Sequence, residues 1–242
     1  MVMDKEIERG IIYYTDNNIG EPILPTCQKQ LLKANLPISS VSLKPMDFGN
    51  NIVLENRSRS YPTQALQILM ALEASKAKYV FFCEHDVLYH PSHFDFTPPT
   101  DDIYYYNVNN YRWLFKNDTA ITYDELTSLS GLCCNRELAI EHYKYRLKVI
   151  EEKELDKIRS REPRWARRFG YEPGTKKKRK GGFTDEEHVK RRSEFPNVDI
   201  RHDKTFSRPK VTKESFKHIP DTFRELPIEE IPGWDLKEIF KF

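Results

Sequence analysis

Glu84-His85-Asp86 is the tripeptide whose residue types point most directly to chemistry. Two carboxylates, one residue apart, follow the apolar run Tyr79-Val80-Phe81-Phe82-Cys83. At a strand's end such carboxylates can turn toward one cleft and hold a hard divalent cation, Mg²⁺ or Mn²⁺. A cation there could bridge two phosphates and stabilise a leaving diphosphate. An ordinary acidic turn closing a strand would look the same, so the tripeptide alone leaves both readings open. His90 and His93 lie close by in sequence and read as loop residues.

A second feature is electrostatic. From Arg161 to Arg192 there are twelve Lys/Arg against five Asp/Glu, a net +7, which leaves −5 for the rest of a chain of net charge +2. Within it, Lys176, Lys177, Lys178, Arg179 and Lys180 run together between Gly174 and Gly181-Gly182, while Trp165, Phe169 and Tyr171 interleave with Arg164, Arg167 and Arg168. Basic runs bind phosphate backbones by releasing counterions, and aromatic rings beside them can stack on bases. A solvated mobile loop, an acceptor-binding arm and a localisation signal are the three readings of this segment.

These groups need elements to position them. Ile11 to Thr15 reads as a buried strand ending in the polar turn Asp16-Asn17-Asn18, followed by a helix over 22–35 and a strand over 39–43. The next helix is the clearest. Ser60 can cap it, Pro62 sits where a missing N–H costs nothing, and Ala65, Leu66, Ile68, Leu69 and Leu72 recur at helical spacing. The apolar run before Glu84 suits a strand buried on both faces. Residues 103–108 read as a strand, and 135–159 as a long helix with Ala139, Tyr143, Leu147 and Ile150 on one stripe. A short helix is expected over 184–192, with Thr184 and Glu187 as a capping box, then a strand over 198–202. Strand and helix alternate, which predicts an α/β fold with a mostly parallel sheet flanked by helices, ligands sitting outside the carboxyl ends of the strands. One catalytic domain over 1–210, with a basic insertion at about 160–182, and a tail over 211–242 packing back through Ile231, Trp234, Ile239, Phe240 and Phe242 complete the expected layout.

Composition bounds the class. The chain has 242 residues, 38% hydrophobic and 31% charged, with 13 Tyr, 14 Phe and 3 Trp. So many aromatics argue against wholesale disorder. No stretch approaches the roughly 18 apolar residues of a membrane span, and residues 1–10 lack the apolar core of a signal peptide. Cys27, Cys83, Cys133 and Cys134 have no metal-site spacing and read as free thiols of a cytoplasmic protein.

The order of these features resembles the GT-A glycosyltransferases, family 2 in particular, over about residues 10–210. The resemblance implies a Rossmann-like GT-A fold and a nucleotide-sugar donor. Tyr13, Thr15, Asp16 and Asn17 match its nucleotide-binding loop, and Glu84-His85-Asp86 its Asp-x-Asp-type motif, with Glu84 and Asp86 as metal and donor contacts. Ser130-Gly131 matches the small-residue turn on the acceptor side. Asp185-Glu186-Glu187-His188 resembles the acidic stretch that supplies the base in inverting members, Glu186 first and Asp185 second. His202 matches the late histidine that completes the metal shell, and Arg208 the basic residue meeting the diphosphate. The basic run Lys176, Lys177, Lys178, Arg179 and Lys180, just before that base, would lie at the acceptor mouth, and a hydroxylated base in DNA is the acceptor it suggests. A saccharide or lipid-linked acceptor is the rival within the class. A nucleotidyltransferase, or a non-catalytic nucleic-acid-binding protein, is the rival outside it. The first lacks here the glycine-rich basic loop after strand one, and the second leaves Glu84 and Asp86 unexplained.

Replacing Lys176, Lys177, Lys178, Arg179 and Lys180 by Ser is expected to weaken binding to duplex DNA and to flatten its salt dependence. Fluorescence anisotropy at two salt concentrations reads this. Equal binding by both proteins would make the run a bystander.

Overall fold

From Gly10 onward every residue of β1 (Ile7–Thr15) is buried. A strand with no solvated face belongs in the middle of a sheet covered on both sides. The computed structural model, which describes residues 7–123, 125, 127–152, 173–174, 188–205 and 210–241, places it there. β1 pairs in parallel with β2 (Ile38–Ser42) on one side and, in sequence register Ile12 with Phe82, with β4 (Ala77–Glu84) on the other. β3 (Asn50–Val53) adds to β2 in parallel. Beyond β4 come β9 (Leu132–Asn135), β6 (Tyr104–Asn107) and β10 (His188–Arg191), giving the order β10-β6-β9-β4-β1-β2-β3. Only β9 runs against the rest. The fold is therefore α/β with a mixed, mostly parallel sheet flanked by helices.

Two helices cover one face. α2 (Tyr61–Ala74) begins as expected: the Ser60 hydroxyl accepts from the Thr63 amide, with proline in the first turn. Its buried side is Ala65, Ile68, Leu69, Ala71 and Leu72, while Leu66 is only partly covered. α3 (Arg136–Glu152) is capped by the Asn135 side chain, which accepts from the Glu137 and Leu138 amides. Ala139, Tyr143 and Ile150 turn inward, with Leu147 partly buried against the same core. The expected extension to 159 lies outside the described residues. On the opposite face, Leu31 at the end of α1 (Ile23–Leu31) and the segment around Phe94 and Phe96 pack on Ile11, Tyr13, Phe81 and Cys133. All four cysteines are buried free thiols. No described helix is long and apolar enough to cross a membrane.

A second sheet, β12-β8-β7-β11-β5, was not legible as such. It comprises β5 (Val87–Leu88), β7 (Asn110–Leu114), β8 (Thr119–Thr122), β11 (Asn197–Arg201) and β12 (Arg224–Pro227). Its core side holds Leu88, Trp113, Val198 and Ile200 against Ile228, Ile231, Trp234 and the short helix α4 (Leu236–Phe240). The Trp234 indole N–H donates to the Pro196 carbonyl at 2.7 Å.

One expected element is corrected. His188–Arg191, read as the second half of a helix, is a strand. The parallel edge of β6 satisfies its backbone, and pairing of this kind overrides the helical preference of a short charged stretch. Thr184 and Glu187, its expected capping box, lie outside the described residues.

A polar staple fixes the ends of the central strands. The Gln67 side-chain amide, buried on α2, donates to the Thr15 carbonyl at 2.7 Å and the Val41 carbonyl at 3.3 Å. Gln67→Leu leaves those carbonyls short of a donor, which costs about 1–3 kcal/mol. The urea midpoint should fall accordingly, and an unchanged midpoint would contradict this role.

Candidate functional site

The site lies where β1 and β4 end. β4 runs apolar to Cys83, then Glu84-His85-Asp86 leads directly into β5. β5 pairs antiparallel with β11, Asp199 opposite Val87. The Ile200 amide donates to the Asp86 carbonyl at 2.8 Å. This junction carries His202, just beyond β11, to Asp86: its Nε2 lies 3.5 Å from Asp86 Oδ2. From the other side, the Thr15 hydroxyl meets His85 Nδ1 at 2.6 Å and orients that ring.

His85, Asp86 and His202 thereby bring one ligand atom each to within 4.8 Å of one another. They can hold a metal ion. Imidazole and carboxylate donors suit a divalent transition metal. The fit is supported by His202 Nε2, which is buried and makes no hydrogen bond of good geometry although a carboxylate faces it. The His202 Nδ1 accepts from the Lys204 amide at 3.3 Å, and its backbone N–H is held by the Thr205 hydroxyl. The first contact orients the ring and the second fixes the backbone that carries it.

Electrostatics separate the carboxylates. Burial, reinforced by Asp86 and Asp199 nearby, pushes the Glu84 acid up to about 8. Its Oε1 accepts from the Tyr14 hydroxyl at 3.0 Å. For Asp86, burial also opposes charge, but His202, His85 and Arg201 outweigh it and hold the carboxyl below its usual range. Burial raises Asp199, which Arg201 partly offsets by pairing with it directly. Asp86 is thus favoured as an anion, while Glu84 is shifted toward its neutral acid.

The residues picked out in sequence fall in different places. Thr15, Asp16, Asp86 and His202 come together. Asp16 is held by Arg59, Nε to Oδ2 at 2.6 Å, and by the Asn18 amide at 2.9 Å. Arg59 also donates to the Lys204 carbonyl, which ties the β1 exit to the segment after His202. Glu84 stands apart from the three-ligand group, and His85 takes the place expected of it. Tyr13 faces away: its ring is buried in the core, edge-on to Phe48 at 4.8 Å. Asn17, at φ 54°, spends its side chain on the loop after β2, where its Oδ1 accepts from the Leu43 and Lys44 amides at 2.8 Å. Ser130 is buried, and a Cβ on Gly131 would stand 2.5 Å from the Asn107 carbonyl oxygen. The glycine is therefore needed for close backbone approach at the entry to β9. Arg208, Asp185, Glu186 and the run Lys176, Lys177, Lys178, Arg179 and Lys180 lie outside the described residues.

Sequence reasoning did not single out His85 as a candidate ligand, nor Arg59, Asp199 and Arg201 as its charged surroundings. The position of His85 between two carboxylates was the available signal. His93 lies in the connecting turn Pro91–His93, as read, and is a buried strut there: its Nδ1 meets the side-chain amides of Asn107 and Asn197 at 2.9 and 3.1 Å.

No family profile matches the sequence, and no curated protein matches it significantly. Solved structures give partial likenesses. The catalytic domain of Drosophila beta1,4-galactosyltransferase 7, in complex with xylobiose, is 15% identical over 57% of this chain and 51% of that one, TM-score 0.34. The glycosyltransferase GlyE of Streptococcus pneumoniae is 11% identical over 61% and 38%, TM-score 0.36. The bifunctional IspDF of Campylobacter jejuni is 13% identical over 58% and 44%, TM-score 0.37. The chain spans about half or less of each.

Isothermal titration with Mn²⁺ should detect one site. His85→Ala and His202→Ala are expected to weaken it by about tenfold or more, as loss of a ligand does, while Glu84→Gln leaves it nearly unchanged. The reverse pattern would restore Glu84 as the ligand.

Proposed function

We propose that this chain is a metal-dependent glycosyltransferase of the GT-A type, moving a sugar from a nucleotide-sugar donor to a hydroxyl acceptor. The observation that carries this reading is the convergence of His85, Asp86 and His202 beyond the carboxyl ends of β1 and β4. Open α/β sheets bind ligands at that edge. The motif order described above supports the same assignment.

A divalent cation, when bound, would supply positive charge to the departing nucleoside diphosphate. The chain's own residues do the rest. Asp86 remains ionised beside the two histidines, and Thr15 orients His85. Asp16, clamped by Arg59, closes the nucleotide side of the cleft. In this reading Arg208 meets the diphosphate. Glu186, or Asp185 beside it, takes the acceptor's proton as that oxygen attacks the anomeric carbon and the bond to the diphosphate oxygen breaks, with inversion. The +7 segment over 161–192 favours a polyanionic acceptor, a hydroxylated base in DNA; a saccharide or lipid-linked acceptor is the other outcome of an acceptor screen.

The test is a donor screen with Mn²⁺, reading release of nucleoside diphosphate. Asp86→Asn should lower turnover by about a hundredfold or more, the scale of losing a metal's charge stabilisation, with thermal stability retained. Pyrophosphate as the product would identify a nucleotidyltransferase instead, and full activity in chelator would end the metal reading. Glu186→Gln should lose transfer but keep donor affinity, because its role is confined to the chemical step. If Asp185→Asn is inactive and Glu186→Gln is not, the base is Asp185; two active variants would exclude this mechanism.

A further inference from the structure

Arg112 is a buried cation with no direct partner in the site described above. It lies on β7, 7% exposed, with its guanidinium carbon 4.8 Å above the Tyr123 ring. Its Nε is buried and has no hydrogen-bond partner. Its neighbour across the strand pair is Asp199, whose acid it helps to lower at longer range, but that carboxylate pairs directly with Arg201, and among the described residues no carboxylate lies within ion-pair distance of Arg112. Two residues earlier, Asn110 Oδ1 is also buried and unpartnered. Residues i and i+2 of a strand share a face. One strand face therefore presents a cationic donor, Arg112 Nε, and a neutral acceptor, Asn110 Oδ1, both removed from water and neither hydrogen-bonded. Buried polar groups are nearly always paired, so two orphans on one face call for an explanation.

That face looks toward the reaction site. Asn110 and Arg112 stand opposite Asn197 and Asp199 of β11. Asp199 in turn is close enough to Asp86 and Glu84 to act on their charges.

We infer that Asn110 and Arg112 form a subsite for a hydroxylated oxyanion, a sugar that carries a carboxylate or a phosphate. The guanidinium takes the oxyanion in a charge-assisted hydrogen bond. The Asn110 carbonyl accepts from a neighbouring hydroxyl of the same ligand. The ring of Tyr123 backs the guanidinium, leaving its N–H edge for the ligand. This inference rests on the proposed glycosyl transfer only for the placing of the subsite beside the metal group; the binding chemistry is independent of it.

The experiment titrates the full chain, without nucleotide, with D-glucuronate, D-glucose 6-phosphate, D-glucose and inorganic phosphate, reading affinity by calorimetry. One of the two sugar anions is expected to bind at least about tenfold more tightly than glucose, the scale of one charge-assisted contact, and more tightly than phosphate. Which of the two binds distinguishes carboxylate from phosphate recognition. Arg112→Met should abolish that preference, and Asn110→Leu should remove the advantage over inorganic phosphate. Arg112→Met should cost little melting temperature, since Asp199 keeps its direct pair with Arg201 and no ion-pair partner of Arg112 is left behind. Equal binding of glucose, absence of any anion binding, or a large loss of stability in Arg112→Met would each overturn the proposal, the last by making Arg112 structural. Mn²⁺ affinity measured on the same variants keeps the two readings apart. Loss of anion preference with metal binding intact concerns this subsite, whereas loss of metal binding in the wild type concerns the proposed function alone.

Discussion

The hydrogen bond from the Ile200 amide to the Asp86 carbonyl holds together two parts of the chain more than a hundred residues apart. It continues the antiparallel pairing of β5 with β11 and splices the small sheet onto the end of the large one. Without it, Asp86 would end an ordinary acidic turn and His202 would sit on an unrelated strand. With it, a carboxylate and an imidazole share a water-poor corner. Such a corner makes their interaction strong and also makes any unpaired charge there costly.

That cost explains the division of labour among the acids. Glu84, Asp86 and Asp199 cannot all be ionised in one buried cluster, because like charges at low dielectric raise one another's proton affinity. Arg201 pairs with Asp199, the histidines lie by Asp86, and Glu84 is left with a phenol. The acid nearest the strand is therefore pushed toward its neutral form, while the one after the histidine is favoured as an anion. The two carboxylates of a motif that looks symmetrical in sequence differ in proton affinity because their neighbours differ.

Rigidity around the corner comes from side-chain amides bonded to backbone. Gln67 ties α2 to the ends of β1 and β2, and Asn17 ties the β1 exit to the β2 exit. A side-chain bridge adds to them: His93 Nδ1, bonded to the side-chain amides of Asn107 and Asn197, joins the end of β6 to the start of β11. Loops that leave a sheet have backbone groups without ladder partners, and these amides satisfy some of them. The site can keep its shape before any ligand arrives because the loops that carry it are bonded to one another. Arg59, reaching from Asp16 to the Lys204 carbonyl, closes the ring of contacts.

The sequence by itself determined the elements whose signals are local. The buried strands at Ile11 and Val80, the helix capped by Ser60 and the stripe of Ala139, Tyr143 and Ile150 follow from apolar periodicity and capping chemistry, which act over a few residues. The acidic turn at Glu84-His85-Asp86 was legible for the same reason. What only the tertiary structure decided was partnership. Short strands such as Asn110–Leu114 and His188–Arg191 have little intrinsic preference and form because an edge is available to pair with. Tyr13 and Asn17 stand in the expected loop, yet one turns into the core and the other into the backbone, since alternation along a strand and a left-handed turn aim their side chains away from the cleft. His85 joins the candidate ligand group, and Glu84 does not, because the direction of a side chain at a strand's end depends on what the next strand brings beside it. Hydrogen bonding over a hundred residues of separation leaves no local trace in the chain.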